Sequence, residues 1–253
     1  MSKAKKAVQT NAQNRIFDQI MTQVSGSTMV EDAEEEVCEL YSRSRTLTLT
    51  IIQNPNINGE LGQTGGVLWN SSVIMSEYFA QRSKWAGDGR LDVENASIVE
   101  LGSGCGLVGL TLHQLGARRV VLTDQHRMLK VLNKNIKACH VPRAGQELYA
   151  SEYLWGRPPE DLQIVSEPID MVVVSDCVYH ESIAPLLVQT LSDLCRRRTD
   201  GLATVVVIGQ ELRSDLVHQA FVEELLNIFV VHRMPVSAQL DEIYVLYAAW
   251  LKR

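Results

Sequence analysis

The run Ser97-Ile98-Val99-Glu100-Leu101-Gly102-Ser103-Gly104-Cys105-Gly106-Leu107-Val108-Gly109 decides how the rest of the chain is read. A short β-branched segment closes on an acid, gives way to glycine at every second position, and continues as an apolar segment of helical character. This predicts a strand, a tight turn and a helix N-terminus. Glycine at 102, 104 and 106 permits positive φ and lets the backbone lie against a ligand with no Cβ in the way. The first amides of the following helix point at whatever is bound there. A plain turn has little use for alternating glycines, so the stretch reads as the cofactor loop of a nucleotide-type α/β domain.

Two ligand classes fit the loop. Gly104 to Gly109 satisfies the dinucleotide pattern G-x-G-x-x-G, and Asp124, roughly 20 residues on, stands where a ribose-binding acid is expected. S-adenosylmethionine also needs an acid for its ribose hydroxyls after the second strand. Glu100, two residues before the first glycine, favours that second ligand.

A length of 253 residues, 45% of them hydrophobic, suffices for one sizeable α/β domain. We divide the chain into an N-terminal arm and β-hairpin over 1–60 and the main domain over 61–253. A formal net charge of -6 argues against a general nucleic-acid-binding surface. The cysteines at 38, 105, 139, 177 and 195 lack paired spacing. They read as buried free thiols of a reducing compartment, and no Cys/His cluster offers a metal site. No apolar run reaches the roughly 18 residues of a membrane span. The Lys-rich N-terminus lacks the apolar segment of a secretory signal, so the expected location is the cytoplasm.

Val37 to Leu40 and Thr46 to Ile52 read as a β-hairpin behind a solvated acidic run, Glu31 to Glu36. A helix is expected from Thr64, with Val67/Leu68, Ile74/Met75 and Tyr78/Phe79 forming its core stripe. Trp69 falls about 100° round that helix from Leu68. Its ring either faces a ligand or packs on a neighbouring loop. After the glycine loop, strands are expected at Arg119 to Asp124, Glu147 to Leu154, Ile169 to Ser175 and Leu202 to Ile208, with amphipathic helices between them. The last two strands, Ile228 to Met234 and Ile243 to Trp250, have no room for a crossover helix and must be antiparallel neighbours. The chain is therefore an α/β protein with a Rossmann-like sheet whose parallel part ends in an antiparallel C-terminal hairpin.

The fourth strand of the sheet runs into Val174-Ser175-Asp176-Cys177-Val178-Tyr179-His180. Ligands of open α/β sheets sit outside the carboxyl ends of the strands, so this segment should face the crevice that holds Gly102 to Gly106. Asp176 can orient an amine as a carboxylate, and Tyr179 can hold and desolvate it. A helix cap and a rim aromatic are the plainer readings of the same two residues.

Taken together, Glu100 to Gly106, Trp69, Trp155-Gly156 and Ser175-Asp176-Cys177-Val178-Tyr179 resemble the seven-strand class I protein-lysine methyltransferases, which modify chaperones and translation elongation factors. The resemblance spans Gly65 to the C-terminus. It implies S-adenosyl-L-methionine as cofactor, contacted by Trp69, Gly102, Ser103, Gly104 and Gly106, with Glu100 near its methionine end. It also implies Asp124 on the ribose, Trp155 against the adenine, Ser175 lining the pocket, and Asp176 and Tyr179 shaping a lysine channel as catalytic residues. The implied partner is a protein presenting a lysine, with the alpha subunit of elongation factor one favoured over a chaperone, and the protein is expected to act as a monomer. Rival readings are a methyltransferase acting on a small molecule or nucleic acid, and a NAD-type oxidoreductase. The C-terminal hairpin disfavours the oxidoreductase.

Overall fold

The computed structural model describes residues 28–30, 33–41, 46–55, 65–82, 92–139, 144–162, 168–196, 200–236, 240 and 242–252. The arm before Thr28 and the turn at Ser42 to Arg45 lie outside these residues. β1 (Thr28–Val30), β2 (Ala33–Tyr41) and β3 (Thr46–Gln53) form a small antiparallel sheet, with Val37 opposite Thr50 and Leu40 opposite Leu47. The expected hairpin is present, and much of the acidic run is strand backbone within β2.

The main sheet contains β4 (Ser97–Leu101), β5 (Arg119–Asp124), β6 (Glu147–Glu152), β7 (Met171–Ser175), β8 (Val205–Glu211), β9 (Phe229–Met234) and β10 (Tyr244–Leu251). Their spatial order is β6-β5-β4-β7-β8-β10-β9. β6 through β8 in that order run parallel, and β10 lies antiparallel between β8 and β9. The helices are α1 (Asn70–Arg82), α2 (Leu107–Gln114), α3 (Leu129–Cys139), α4 (Ile183–Arg196) and α5 (Asp215–Ile228).

Side chains alternate faces along each strand, and both faces are covered. Ile98, Val120, Leu122 and Val173 pack with α1, α2, α3 and the N-terminal hairpin. Val99, Val121, Val172 and Val174 pack with α4 and α5. This is why the central strands read as continuous β-branched runs rather than alternating ones. Each fully buried valine or leucine contributes about 1.5–3 kcal/mol, so the centre of the sheet is a stiff platform for the loops at its carboxyl end.

Asn135 joins the hairpin to the glycine loop. From within the core, its side chain accepts the Ile52 amide at 2.7 Å and donates to the carbonyls of Ile52 at 3.0 Å and Cys105 at 2.8 Å. An unpaired buried amide would cost about 1–3 kcal/mol, so this residue fixes the approach of the two segments.

The helix expected from Thr64 starts later than its apolar spacing suggested. Gln53 Oε1 accepts the Leu68 amide at 2.7 Å, and Gly66 O accepts the Asn54 amide at 2.7 Å. The backbone of 65–69 is thus tied sideways to the end of β3, and α1 begins only at Asn70. β8 is likewise shifted along the chain. Leu202 is exposed, and pairing starts at Val205, whose amide donates to Asp170 O at 3.0 Å.

Candidate functional site

The carboxyl ends of β4, β5 and β7 open on a cavity of about 350 Å³. Gly102, Ser103, Gly104 and Glu100 line it from β4, Asp124 from β5, and Ser175, Asp176 and Tyr179 from β7. Trp155 and Trp69 complete its wall. Of the residues predicted for the site, Gly106 alone stands away from this wall. It begins α2 with φ +87°, and a Cβ there would sit 3.0 Å from Leu132 and 3.1 Å from Leu122, so it serves the packing of the turn.

The glycine loop is held at each step. Ser103 N donates to Thr123 O at 2.9 Å and Gly106 N to Ser103 O at 2.7 Å. Gly104 N donates to Asp124 Oδ2 at 2.8 Å. Gly102 has φ +62°, and a Cβ on it would lie 2.6 Å from Cys177 Sγ and 3.3 Å from Trp155 Cζ2. Only glycine fits there, and its bare backbone is what the cavity meets.

Burial raises the carboxyl of Asp124, with the amides of Gly104 and Gln125 working in the other direction. Glu100 is buried at the root of the loop, where Oε2 accepts the Gly109 amide at 2.9 Å. Desolvation pushes its pKa up to about 8, against the opposing effect of that amide bond. Glu100 thus holds a proton near neutrality, and it anchors α2 to β4 as well as facing the cavity.

Asp176 immediately follows β7 at φ +56°, a left-handed conformation uncommon for a residue with a side chain. Its carboxylate, expected from sequence to meet an amine, is already met by the chain's own groups. Arg213 donates Nη1 to Oδ1 at 2.9 Å and Nη2 to Oδ2 at 2.6 Å. Gln210 Nε2 and the Glu211 amide also donate to Oδ1, at 3.1 and 3.3 Å. The Arg213 guanidinium lies 5.0 Å from the centre of the Trp69 ring and donates to Glu211 Oε2 at 2.7 Å. Trp69 immediately precedes α1 and takes the Ser72 hydroxyl on its carbonyl at 2.6 Å.

Tyr179 stands 45% exposed at the cavity mouth, and partial burial raises its phenol, followed by the charges of Cys177 and Asp124. Cys105 and Cys177 are buried, as the sequence suggested. The Cys177 thiol donates to Leu101 O at 3.5 Å, and burial keeps it well above the ordinary range, so it is not a nucleophile. His180 is exposed and bonded to Ser182 Oγ at 2.8 Å. Sequence reasoning passed over Gln210, Glu211 and Arg213. Their signal was position, since Gln210 and Glu211 close β8 and Arg213 lies two residues beyond it, at the carboxyl end of the strand beside β7.

The residues fit an adenosine-type ligand bearing a polar tail. Ser175 Oγ is buried in the wall region with no hydrogen-bond partner among the described residues. It is a hydroxyl ready for a ligand atom. The Gly102 cradle that a Cβ would fill, the Asp124 carboxylate and the flat Trp155 ring complete the set.

A family model described as lysine methyltransferase matches residues 48–226. Protein N-lysine methyltransferase METTL21A of Danio rerio is 30% identical over 177 residues, which cover 69% of this chain and 73% of that protein. EEF1A lysine methyltransferase 3 of Xenopus tropicalis is 27% identical over 210 residues, 83% of each chain. Protein-lysine N-methyltransferase EFM6 of Saccharomyces cerevisiae is 32% identical over 153 residues, 54% of this chain and 60% of that one. Among solved structures, a Streptococcus mutans protein assigned as a SAM-dependent methyltransferase superposes with a TM-score of 0.52 at 8% identity. That match covers 88% of this chain and 57% of the other, and it is a likeness of fold.

Proposed function

Because the chain belongs to the lysine methyltransferase family, we propose that it transfers a methyl group from S-adenosylmethionine to the ε-amine of a lysine in another protein. The alpha subunit of elongation factor one is the favoured acceptor and a chaperone the second. The observation that carries this reading is that the glycine loop, Asp124, Ser175 and the Asp176 to Tyr179 segment all border one cavity. The elongation factor is favoured because the relative named for it matches over 83% of both chains.

When bound, S-adenosylmethionine supplies a methyl group on a positively charged sulfur, open to in-line attack by an amine. The chain's own residues place the partners. The loop from Gly102 to Gly104 offers bare backbone against the cofactor, and Ser175 offers its unpaired hydroxyl. Asp124 accepts one amide on each oxygen, at 2.8 Å from Gly104 and 2.7 Å from Gln125, which leaves further lone pairs for ribose hydroxyls. Trp155 presents a ring to the base. At the mouth, Tyr179 and Trp69 exclude water from the approaching side chain.

A lysine amine has an ordinary pKa of about 10.4 and must lose its proton, to water, before it attacks. Desolvation between the two aromatic side chains favours the neutral form. Holding the neutral amine in line then supplies much of the rate. We assign the protein a monomeric form and a cytoplasmic location. Among the described residues, no helix is long and apolar enough to cross a membrane.

The test is incubation of the purified protein with methyl-labelled S-adenosylmethionine and unmethylated elongation factor or chaperone, followed by peptide mapping. Label on a lysine of the elongation factor, reduced with Asp124→Ala at limiting S-adenosylmethionine, supports the proposal. Label on the chaperone alone moves the assignment to the second acceptor, and label on neither overturns both.

A further inference from the structure

We infer that Arg213 is a positioning residue of the acceptor pocket: by occupying Asp176 with its own cation, it makes the pocket receive lysine as a neutral amine rather than as an ammonium ion. The inference rests on the lysine-acceptor reading above. It starts from the state of the Asp176 carboxylate, whose side chain is 2% exposed. A carboxylate offers about four acceptor positions. Gln210 Nε2, the Glu211 amide and Arg213 Nη1 crowd Oδ1, and Arg213 Nη2 takes one position on Oδ2, so one position on Oδ2 remains and the buried negative charge is already matched by a cation. Little capacity is left for an incoming ammonium.

Nor does Arg213 yield easily. A guanidinium stays charged across the working pH range and matches a carboxylate with two parallel bonds. Here it is also held by Glu211 Oε2 and by the face of Trp69. Its partial burial works against the charge, but the bonds and charges of Asp176 and Glu211 more than offset this and hold Arg213 above its ordinary value. Asp176 and Trp69 border the cavity and Arg213 braces both. The side chain therefore acts on the acceptor through its neighbours.

The charged and titratable groups around this corner come from several elements. Asp176, Cys177 and Tyr179 follow β7, Glu211 and Arg213 belong to the end of β8, and Tyr244 begins β10. Glu100 lies on β4 and holds a proton near neutrality, while Asp124 ends β5 and Arg127, in the turn that follows, faces its charge. Arg213 is the cation bonded to both Asp176 and Glu211. Without it, the Asp176 carboxylate that borders the pocket is uncompensated, with Glu211 adding negative charge behind it. That charge would attract a lysine ammonium and hold it in the form that cannot attack.

The experiment has one arm that needs no methyl transfer. The protein, saturated with S-adenosylhomocysteine, is titrated calorimetrically with n-butylamine at pH 7, where the amine is an ammonium ion. Arg213→Met and Arg213→Gln are expected to bind it about tenfold or more tightly than the wild type, and Arg213→Lys, which restores the charge, about as the wild type does. No gain in the neutral variants overturns the inference. Two neutral variants are used so that the loss of fold in one leaves the other to decide.

The second arm follows the pH dependence of kcat on the elongation factor. Removing a positive charge raises the pKa of the bound amine, so the acid limb should move to higher pH by about one unit in the neutral variants and stay in place in Arg213→Lys. A purely structural role would lower kcat without moving the limb, and that result also overturns the inference. Absence of transfer by the wild type counts against the lysine-acceptor reading, while the butylamine titration still decides the role of Arg213.

Discussion

The Asp124 carboxylate takes the Gly104 amide on Oδ2 at 2.8 Å, so the acid at the end of β5 shapes the glycine loop after β4 as well as facing the cavity. Replacing it does two kinds of damage. Asp124→Ala removes a ribose partner and frees a backbone amide of the loop, and it should weaken S-adenosylhomocysteine binding by about tenfold or more. Asp124→Asn retains an acceptor oxygen for Gly104 and should lose less. Calorimetric affinities of the two variants check the order.

Gly102→Ala meets two obstacles, a φ of +62° and a Cβ placed 2.6 Å from Cys177 Sγ. The expected cost is about 1–3 kcal/mol of stability together with loss of cofactor affinity. Adding Cys177→Ala relieves the contact but not the backbone conformation, so the double variant should recover only part of the thermal stability. Full recovery would show that the backbone at 102 is unstrained.

Glu100 carries a signature in pH. Its pKa rises from 4.5 to about 8 through burial. An acid whose folded pKa is raised contributes most to stability below its unfolded pKa, and that contribution is lost as pH rises through the folded value. Thermal unfolding should therefore show stability declining from about pH 4.5 to about pH 8 through this group. Glu100→Gln, which keeps an acceptor for the Gly109 amide, should flatten that decline and be the more stable protein at pH 8. An unchanged slope would place the titration elsewhere.

Tyr179, 45% exposed at the mouth, is predicted to act on the acceptor and not on the cofactor. Tyr179→Ala should lower kcat/KM for the protein acceptor by about tenfold to a hundredfold while leaving S-adenosylhomocysteine affinity within about twofold. Tyr179→Phe, which keeps the ring, should fall between the two. Equal losses of cofactor affinity and turnover would place Tyr179 in the cofactor site.

The succession of strands and helices, the glycine loop and the antiparallel C-terminal pair were legible in the sequence because each depends on local rules. Periodicity marks a strand such as Met171–Ser175, alternating glycines mark a turn, and a short connection forces antiparallel pairing. What was not legible depends on partners distant in sequence. Gln53 takes the Leu68 amide and so moves the start of α1. Asn135 holds Ile52 across 83 residues of chain. Arg213 reaches Asp176 across 37 residues. In each case a polar side chain satisfies a group that sequence spacing leaves unassigned, and only the folded sheet brings the two together.

The central claim is that the methyl group ends on a lysine nitrogen. After the purified protein has acted on unmethylated elongation factor with methyl-labelled S-adenosylmethionine, acid hydrolysis followed by amino-acid analysis identifies the labelled residue. The account predicts label in methyl-lysine, and about a hundredfold or greater loss of it when Tyr179→Ala and Asp124→Ala are combined. Label recovered in another amino acid, or in nucleic acid when that is supplied beside the protein, would contradict it.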